Sequence, residues 1–175
     1  MLQKGLVHAY YGDGKGKTTA AIGLGIRGIG NGLKVTMVQF LKTKVTGELE
    51  ALERLGNDFK VYRFESPKGF YHQLNEAEKE MLKTEVSNEF ELAVKAALEC
   101  DILILDEVLG VIENNLMEAG KLTEFIKNKP QNLEIVMTGR DLPEEVKDLC
   151  DYVSEIISIK HPYNTGAGAR KGIEY

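Results

Sequence analysis

Gly5-Leu6-Val7-His8-Ala9-Tyr10-Tyr11-Gly12-Asp13-Gly14-Lys15-Gly16-Lys17-Thr18-Thr19-Ala20-Ala21 is the stretch that decides the fold. It opens with an apolar run, Gly5 to Tyr10, that reads as a strand. A glycine-rich turn follows, Gly12 to Thr19, and then an Ala/Gly/Ile-rich helix from Ala20 to Ile29. Strand, glycine loop and helix in that order form a phosphate-binding loop. Glycines let the backbone turn tightly and aim several N–H groups at one anion. The helix N-terminus behind them adds partial positive charge. Lys17 is placed to reach phosphates, and the Thr18 hydroxyl to sit on Mg²⁺. One feature departs from the general motif. Its first glycine stands five positions before the Gly of Gly-Lys-Thr, where this chain has Tyr11; Gly12 lies four before Gly16. The loop is one residue short, which suggests that phosphates are held in an unusual way.

The second chemical signal is Cys100-Asp101-Ile102-Leu103-Ile104-Leu105-Asp106-Glu107. A continuous apolar strand belongs in the middle of a parallel sheet. Asp106 and Glu107 at its carboxyl end are placed to hold Mg²⁺ or its water shell opposite the loop. Two further buried strands read from Lys34 to Leu41 and from Leu133 to Thr138. The first delivers Lys42, and the second Gly139-Arg140, to the edge where open α/β sheets bind ligands. Arg140 fits an anion contact or a structural ion pair equally well. Phe59 to Phe64 alternates as a half-buried strand does, and Tyr152 to Ile159 is the last strand.

Helices are expected over Gly47 to Leu55, from an Asn75/Glu78 capping box to about Glu99, over Leu116 to Lys127, and after Pro143. Met81, Leu82, Phe90, Ala93, Val94, Ala97 and Leu98 should supply much of the long helix's buried face. Between them, Glu65 to Leu74 is irregular and carries Phe70-Tyr71-His72 beside Gly69, a lid or a ligand-contacting loop. The residues after Ile159 read as a loop over the surface. The whole is a three-layer α/β P-loop nucleotide-binding domain with a mainly parallel, RecA-like sheet, spanning residues 1–175 as one domain.

The 175 residues and 43% apolar content suit one full core. A net charge of −5 argues against a general nucleic-acid binder. No apolar run approaches a membrane span, and the first residues lack a secretory h-region, so a cytoplasmic location is expected. Cys100 and Cys150 lack zinc-site spacing and read as reduced core residues.

At this point the chain resembles the ATP:corrinoid adenosyltransferase family. Gly5 to His8 leading into Gly12 to Thr19 looks like the family signature, short loop included. Val38-Gln39-Phe40, Asp101 to Glu107, Thr138-Gly139-Arg140, Val153-Ser154-Glu155, Lys160-His161 and the closing Gly172-Ile173-Glu174-Tyr175 resemble family segments in order. The resemblance implies that reduced Co(I) of a corrinoid attacks the 5′ carbon of ATP and that triphosphate leaves. It implies ATP held by Gly12, Asp13, Gly14, Lys15, Gly16, Lys17, Thr18, Thr19 and Arg140. Lys17 and Thr18 would stabilise the leaving group, and Thr18, Asp106 and Glu107 would hold Mg²⁺. It also implies a homodimer and a reductase that supplies Co(I). Phe70 matches an aromatic of the family's corrinoid pocket, whereas His72 stands where the family has Trp, and this chain has no Trp. The alternatives are an ATP-binding regulatory or carrier module without corrinoid turnover, and a P-loop kinase or ATPase.

Overall fold

A computed structural model describes residues 2–42, 46–64, 74–166 and 168–174. The expected Phe70 and His72 contacts lie outside these residues. Six strands carry the architecture: β1 (Val7–Tyr11), β2 (Val35–Gln39), β3 (Phe59–Arg63), β4 (Ile102–Asp106), β5 (Glu134–Thr138) and β6 (Tyr152–Glu155). They form one sheet in the order β3-β2-β4-β5-β1-β6. Every adjacent pair is parallel. The expected parallel α/β sheet is therefore present, with β5 inserted between the loop-bearing β1 and the acid-ended β4.

Helices cover both faces, as parallel sheets require. α1 (Lys17–Ile29) and α2 (Gly47–Glu53) lie on one side. There Ala21, Ile22 and Leu52 pack against Val35, Met37, Ile102, Ile104 and Val136. The other side holds α3 (Glu76–Ala96), α4 (Val108–Glu113), α5 (Ala119–Lys127) and α6 (Glu144–Lys147). Its core joins Leu82, Val86, Phe90 and Ala93 to Val38, Leu103, Leu105, Ile135 and Met137. Alternate residues of β4 thus serve opposite layers, which is why its sequence is apolar without interruption. Gly25 and Gly28 let α1 approach the sheet: a Cβ would stand 2.8 Å from the Phe59 ring and 2.4 Å from Ile102 Cδ1.

Several boundaries differ from those read in the sequence. α1 begins at Lys17, so the last residues of the loop motif are its first turn. Within α1, Ala21, Gly25 and Gly28 face the sheet, while Ala20 and Gly23 are not covered. The helix expected over Leu116 to Lys127 is α5, which begins at Ala119, and a further helix that was not expected, α4, starts directly after β4; Glu107, left-handed at φ 63°, makes the turn. The last strand is shorter than Tyr152 to Ile159 and wholly exposed. Cys100 is buried and Cys150 half-buried, both as free thiols.

α3 opens with the expected capping box, Asn75 accepting from Glu78 N and Glu78 from Asn75 N. Its buried arc is narrower than expected: Met81, Val94 and Leu98 flank it and are exposed. Glu89 sits inside that arc at 1% exposure. Its Oε1 and the Oε2 of Glu85, one turn earlier, are buried and have no hydrogen-bond partner among the described residues. Burial, with the Glu85 charge second, pushes the Glu89 carboxyl from 4.5 up to about 8. Between those values the folded state keeps a proton that the unfolded chain releases. Stability from this group is therefore complete below about pH 4.5 and is lost as pH rises toward 8. Glu89→Gln should raise the melting temperature at pH 8, and the gain should shrink to nothing near pH 4. Thermal melts of both proteins across that range check it, and a gain independent of pH contradicts it.

Candidate functional site

The loop between β1 and α1 stands at the carboxyl edge of the sheet and is fixed from behind. Gly12 N donates to Arg140 O at 3.0 Å and Gly14 N to Ile156 O at 2.7 Å. A Cβ on Gly12 would lie 2.5 Å from Ile156 O, and one on Gly14 2.7 Å from it. Gly12 and Gly16 have φ of 111° and 120°, which side chains avoid. Gly12 and Gly14 are therefore demanded by backbone packed on backbone, with the chain just past β6 as the wall, and Gly16 by its φ alone. Asp13 joins the same wall, its Oδ1 accepting from Ser158 N at 3.0 Å.

Lys17 opens α1, and its Nζ donates to Gly12 O and Gly14 O at 2.6 and 2.7 Å. Burial lowers its pKa; Glu107 and Asp13 act the other way, and Arg140 and Lys42 add to the lowering. A partly desolvated ammonium satisfied by carbonyls alone is suited to receive an anion. Lys15 points outward and donates to Ile173 O at 3.1 Å and Glu174 Oε1 at 3.0 Å. Arg170 also pairs with Glu174, and these partners, Arg170 first, hold the Glu174 carboxyl at about 2. The segment expected to cross the surface as a plain loop thus reaches the phosphate loop. Thr19 and Arg140 are both exposed, and Arg140 meets the loop through its backbone carbonyl.

Asp106 is the centre of the site and is fully buried. Its Oδ1 accepts from Thr18 Oγ1 at 2.8 Å and from Thr138 Oγ1 at 2.7 Å. Its Oδ2 accepts from Gln39 Nε2 at 3.2 Å and lies 3.5 Å from Lys42 Nζ. Register explains the convergence, since Gln39 pairs with Asp106 across β2 and β4, and Thr138 ends the next strand. Glu107 is half-exposed, with Oε1 3.7 Å from the same Lys42 ammonium. Its N–H donates to Thr138 Oγ1 at 2.8 Å, so one hydroxyl orients both acids. Gly139 lets β5 end against α4; a Cβ there would stand 2.4 Å from Leu109 Cβ.

A cleft of about 620 Å³ is lined by the loop from Gly14 to Thr19, Lys42, Glu48, Glu107 and residues 172–174, with Asp106 buried behind Thr18 and Lys42. A cleft of similar size between α3 and β3 lies elsewhere, against Lys34 and Cys100 near the opposite strand ends. Lys17, Thr18, Asp106 and Glu107 are thus brought together as the sequence suggests. Sequence reasoning gave no role to Thr138, Gln39, Ile156 or Glu174. Thr138 carried a signal, a polar residue closing an apolar strand as Asp106 does. The carbonyl of Ile156 carries none, because any residue has one. Among the described residues no cluster of three or more His, Cys, Asp or Glu side chains could hold a metal. The available donors are two carboxylates and a hydroxyl, hard oxygens of the kind Mg²⁺ prefers when phosphates complete its shell. Lys42 already seats a positive charge beside both carboxylates, so the pair fits a cation.

Solved structures with this architecture include the flagellar accessory protein FlaH from Methanocaldococcus jannaschii, at a TM-score of 0.59 and 17% identity over 88% of this chain and 72% of that one. The cytoplasmic domain of EssC superposes at 0.54 with 15% identity, over 98% of this chain and 35% of that one. These establish the fold alone. The corrinoid adenosyltransferase of Escherichia coli K12 is 30% identical over 99% of this chain and 87% of its own length. Corrinoid adenosyltransferase CobA of Salmonella typhimurium LT2 matches to the same extent. The family described as ATP:corrinoid adenosyltransferase BtuR/CobO/CobP matches residues 3–175. The chain, an enzyme with a parallel α/β P-loop fold, belongs to that family.

Proposed function

We propose that this protein transfers the 5′-deoxyadenosyl group of ATP to the reduced Co(I) of a corrinoid and releases triphosphate. One observation carries the proposal: a phosphate loop bonded through Thr18 to a buried acid, in a chain that matches the family over residues 3–175. The cobalt electron pair forms the Co–C bond as the C5′–O bond breaks, and the departing pair stays on the triphosphate oxygen. No proton moves in that step, so a general base is not needed. The protein's task is to stabilise negative charge on the leaving group and to hold the two reactants in line.

In this reading the N–H groups of Asp13 and of Lys15 to Thr18 cradle the phosphates, those of Gly12 and Gly14 being held by the Arg140 and Ile156 carbonyls. Lys17 exchanges its two carbonyl partners for phosphate oxygens, and Thr19 and Arg140 contact the nucleotide. Thr18, Asp106 and Glu107 would hold Mg²⁺, which when bound supplies further charge neutralisation on the triphosphate. Thr18 can keep its hydrogen bond to Asp106 while its oxygen lone pairs face the cation. Phe70 and His72 are proposed for the corrinoid from the sequence pattern. No helix among the described residues is long and apolar enough to cross a membrane. A cytoplasmic homodimer served by a separate reductase completes the proposal.

Anaerobic incubation with MgATP and chemically reduced cob(I)alamin tests it. Adenosylcobalamin and triphosphate should form in equal amounts; ADP with phosphate would overturn the proposal. Lys17→Ala should lower turnover by about 10²–10³-fold with the fold intact, since it removes a donor that acts on developing charge. Gly14→Ala acts differently, by forcing a methyl against the Ile156 carbonyl. It should weaken ATP binding in calorimetry by roughly tenfold or more, about 1.4 kcal/mol. Wild-type affinity in that variant would show that the loop does not need its wall.

A further inference from the structure

Lys42 follows β2 and belongs to none of the motifs that define the site, yet it touches both acids at once. Its ammonium is 3.5 Å from Asp106 Oδ2 and 3.7 Å from Glu107 Oε1. The backbone that carries it is fixed. Leu41 before it is left-handed at φ 56°, which turns the chain at the end of β2. The Lys42 carbonyl accepts from Arg63 Nε at 3.2 Å. The side chain above that anchor is long, and its head is held by charge and not by packing. It also lines the cleft that the loop lines.

We infer that Lys42 is a built-in stand-in for the divalent cation, neutralising Asp106 and Glu107 until a triphosphate draws its ammonium away, so that the acids take a metal only together with the nucleotide. The inference rests on the reading of Asp106 and Glu107 as metal carboxylates. Its physical basis is exclusion by like charge. An ammonium and a divalent cation cannot both sit within contact distance of the same two carboxylates without strong repulsion. Asp106 makes the conflict sharper, because it is fully buried and its Oδ1 is already committed to Thr18 and Thr138. Oδ2 accepts from Gln39 Nε2 and stands beside Lys42, so a further cation would have to share that atom with the ammonium. A triphosphate resolves the conflict. Lys17 and Lys42 repel each other across the cleft, and an anion between them attracts both. Moving Lys42 onto the phosphates then frees the acids and adds a second lysine to the leaving group.

Manganese serves as the probe, with free Mn²⁺ counted by electron paramagnetic resonance in titrations of the full chain without corrinoid. Wild type should bind Mn²⁺ weakly alone and tightly with ATP. Lys42→Met keeps the apolar stem and removes the charge, and it should bind Mn²⁺ without nucleotide about tenfold or more tighter than wild type. Lys42→Arg should retain the nucleotide requirement. Equal nucleotide-free affinity in wild type and Lys42→Met would overturn the inference while leaving the metal site standing. Glu107→Gln separates the two levels. If it fails to weaken the ATP-dependent Mn²⁺ site, the acids are not the metal's ligands, and the inference falls with that reading.

Discussion

A fully buried carboxylate is the constraint on which this structure turns. Asp106 ends the central strand β4, where there is no water to solvate it, and an uncompensated charge there would cost several kcal/mol. It is compensated from four directions. Thr18 comes from α1, Thr138 from β5, Gln39 from β2, and Lys42 from the turn after β2. Each donor fixes one element relative to β4. Thr18 sets the height of α1 and therefore the shape of the loop that precedes it. Thr138 sets the end of β5, and through its bond from Glu107 N it sets the left-handed turn into α4. Fold and site are held by the same few bonds, so the elements cannot shift independently without unsatisfying the acid.

The loop has a second support that is independent of the first. β6 has all four residues exposed and contributes little to the core. Its value lies at its end, where Ile156 offers a carbonyl to Gly14 and stands close enough to Gly12 and Gly14 to exclude side chains. Ser158 adds a donor for Asp13. An edge strand that is poor in packing is thus retained as a wall. The closing segment completes the surround by placing Ile173 and Glu174 against Lys15.

Much of this was legible in the sequence, for a physical reason. Strands buried on both faces are continuously apolar, so β2, β4 and β5 are plain in the sequence, as are the Asp, Thr and Lys that follow or end them. Helix signals that depend on local chemistry also held, the Asn75–Glu78 capping box above all. Misjudgements came where geometry is long-range. The angular width of the buried arc on α3 depends on how far the helix stands from the sheet, so Met81, Val94 and Leu98 were assigned to a face that does not reach them. Glu89 was overlooked for the opposite reason: a lone acid in a helix reads as solvated unless the packing is known. α4 was missed because β4 passes into it through a single residue, the left-handed Glu107, too short a break to read as a turn. The Ile156 wall uses a backbone carbonyl, which leaves no mark in a sequence.

The net charge of −5 conceals how the site is prepared for a polyanion. Its cations have partners of limited strength. Lys17 is held by two carbonyls, Lys15 by a carboxylate and a carbonyl at the surface, and Lys42 by two acids beyond ideal hydrogen-bond distance. None is buried in a tight bidentate pair. Such contacts keep the cations in the cleft and limit their mutual repulsion, yet under the proposed function a triphosphate, with more charge and more acceptor oxygens, would outcompete them. For the proposed transfer this distribution is apt. Breaking the C5′–O bond places charge on the whole triphosphate, not on one terminal phosphoryl group. Stabilisation is then best supplied along the length of the loop, by many N–H groups and several lysines whose backbone positions are already fixed by Asp106 and by the Ile156 wall.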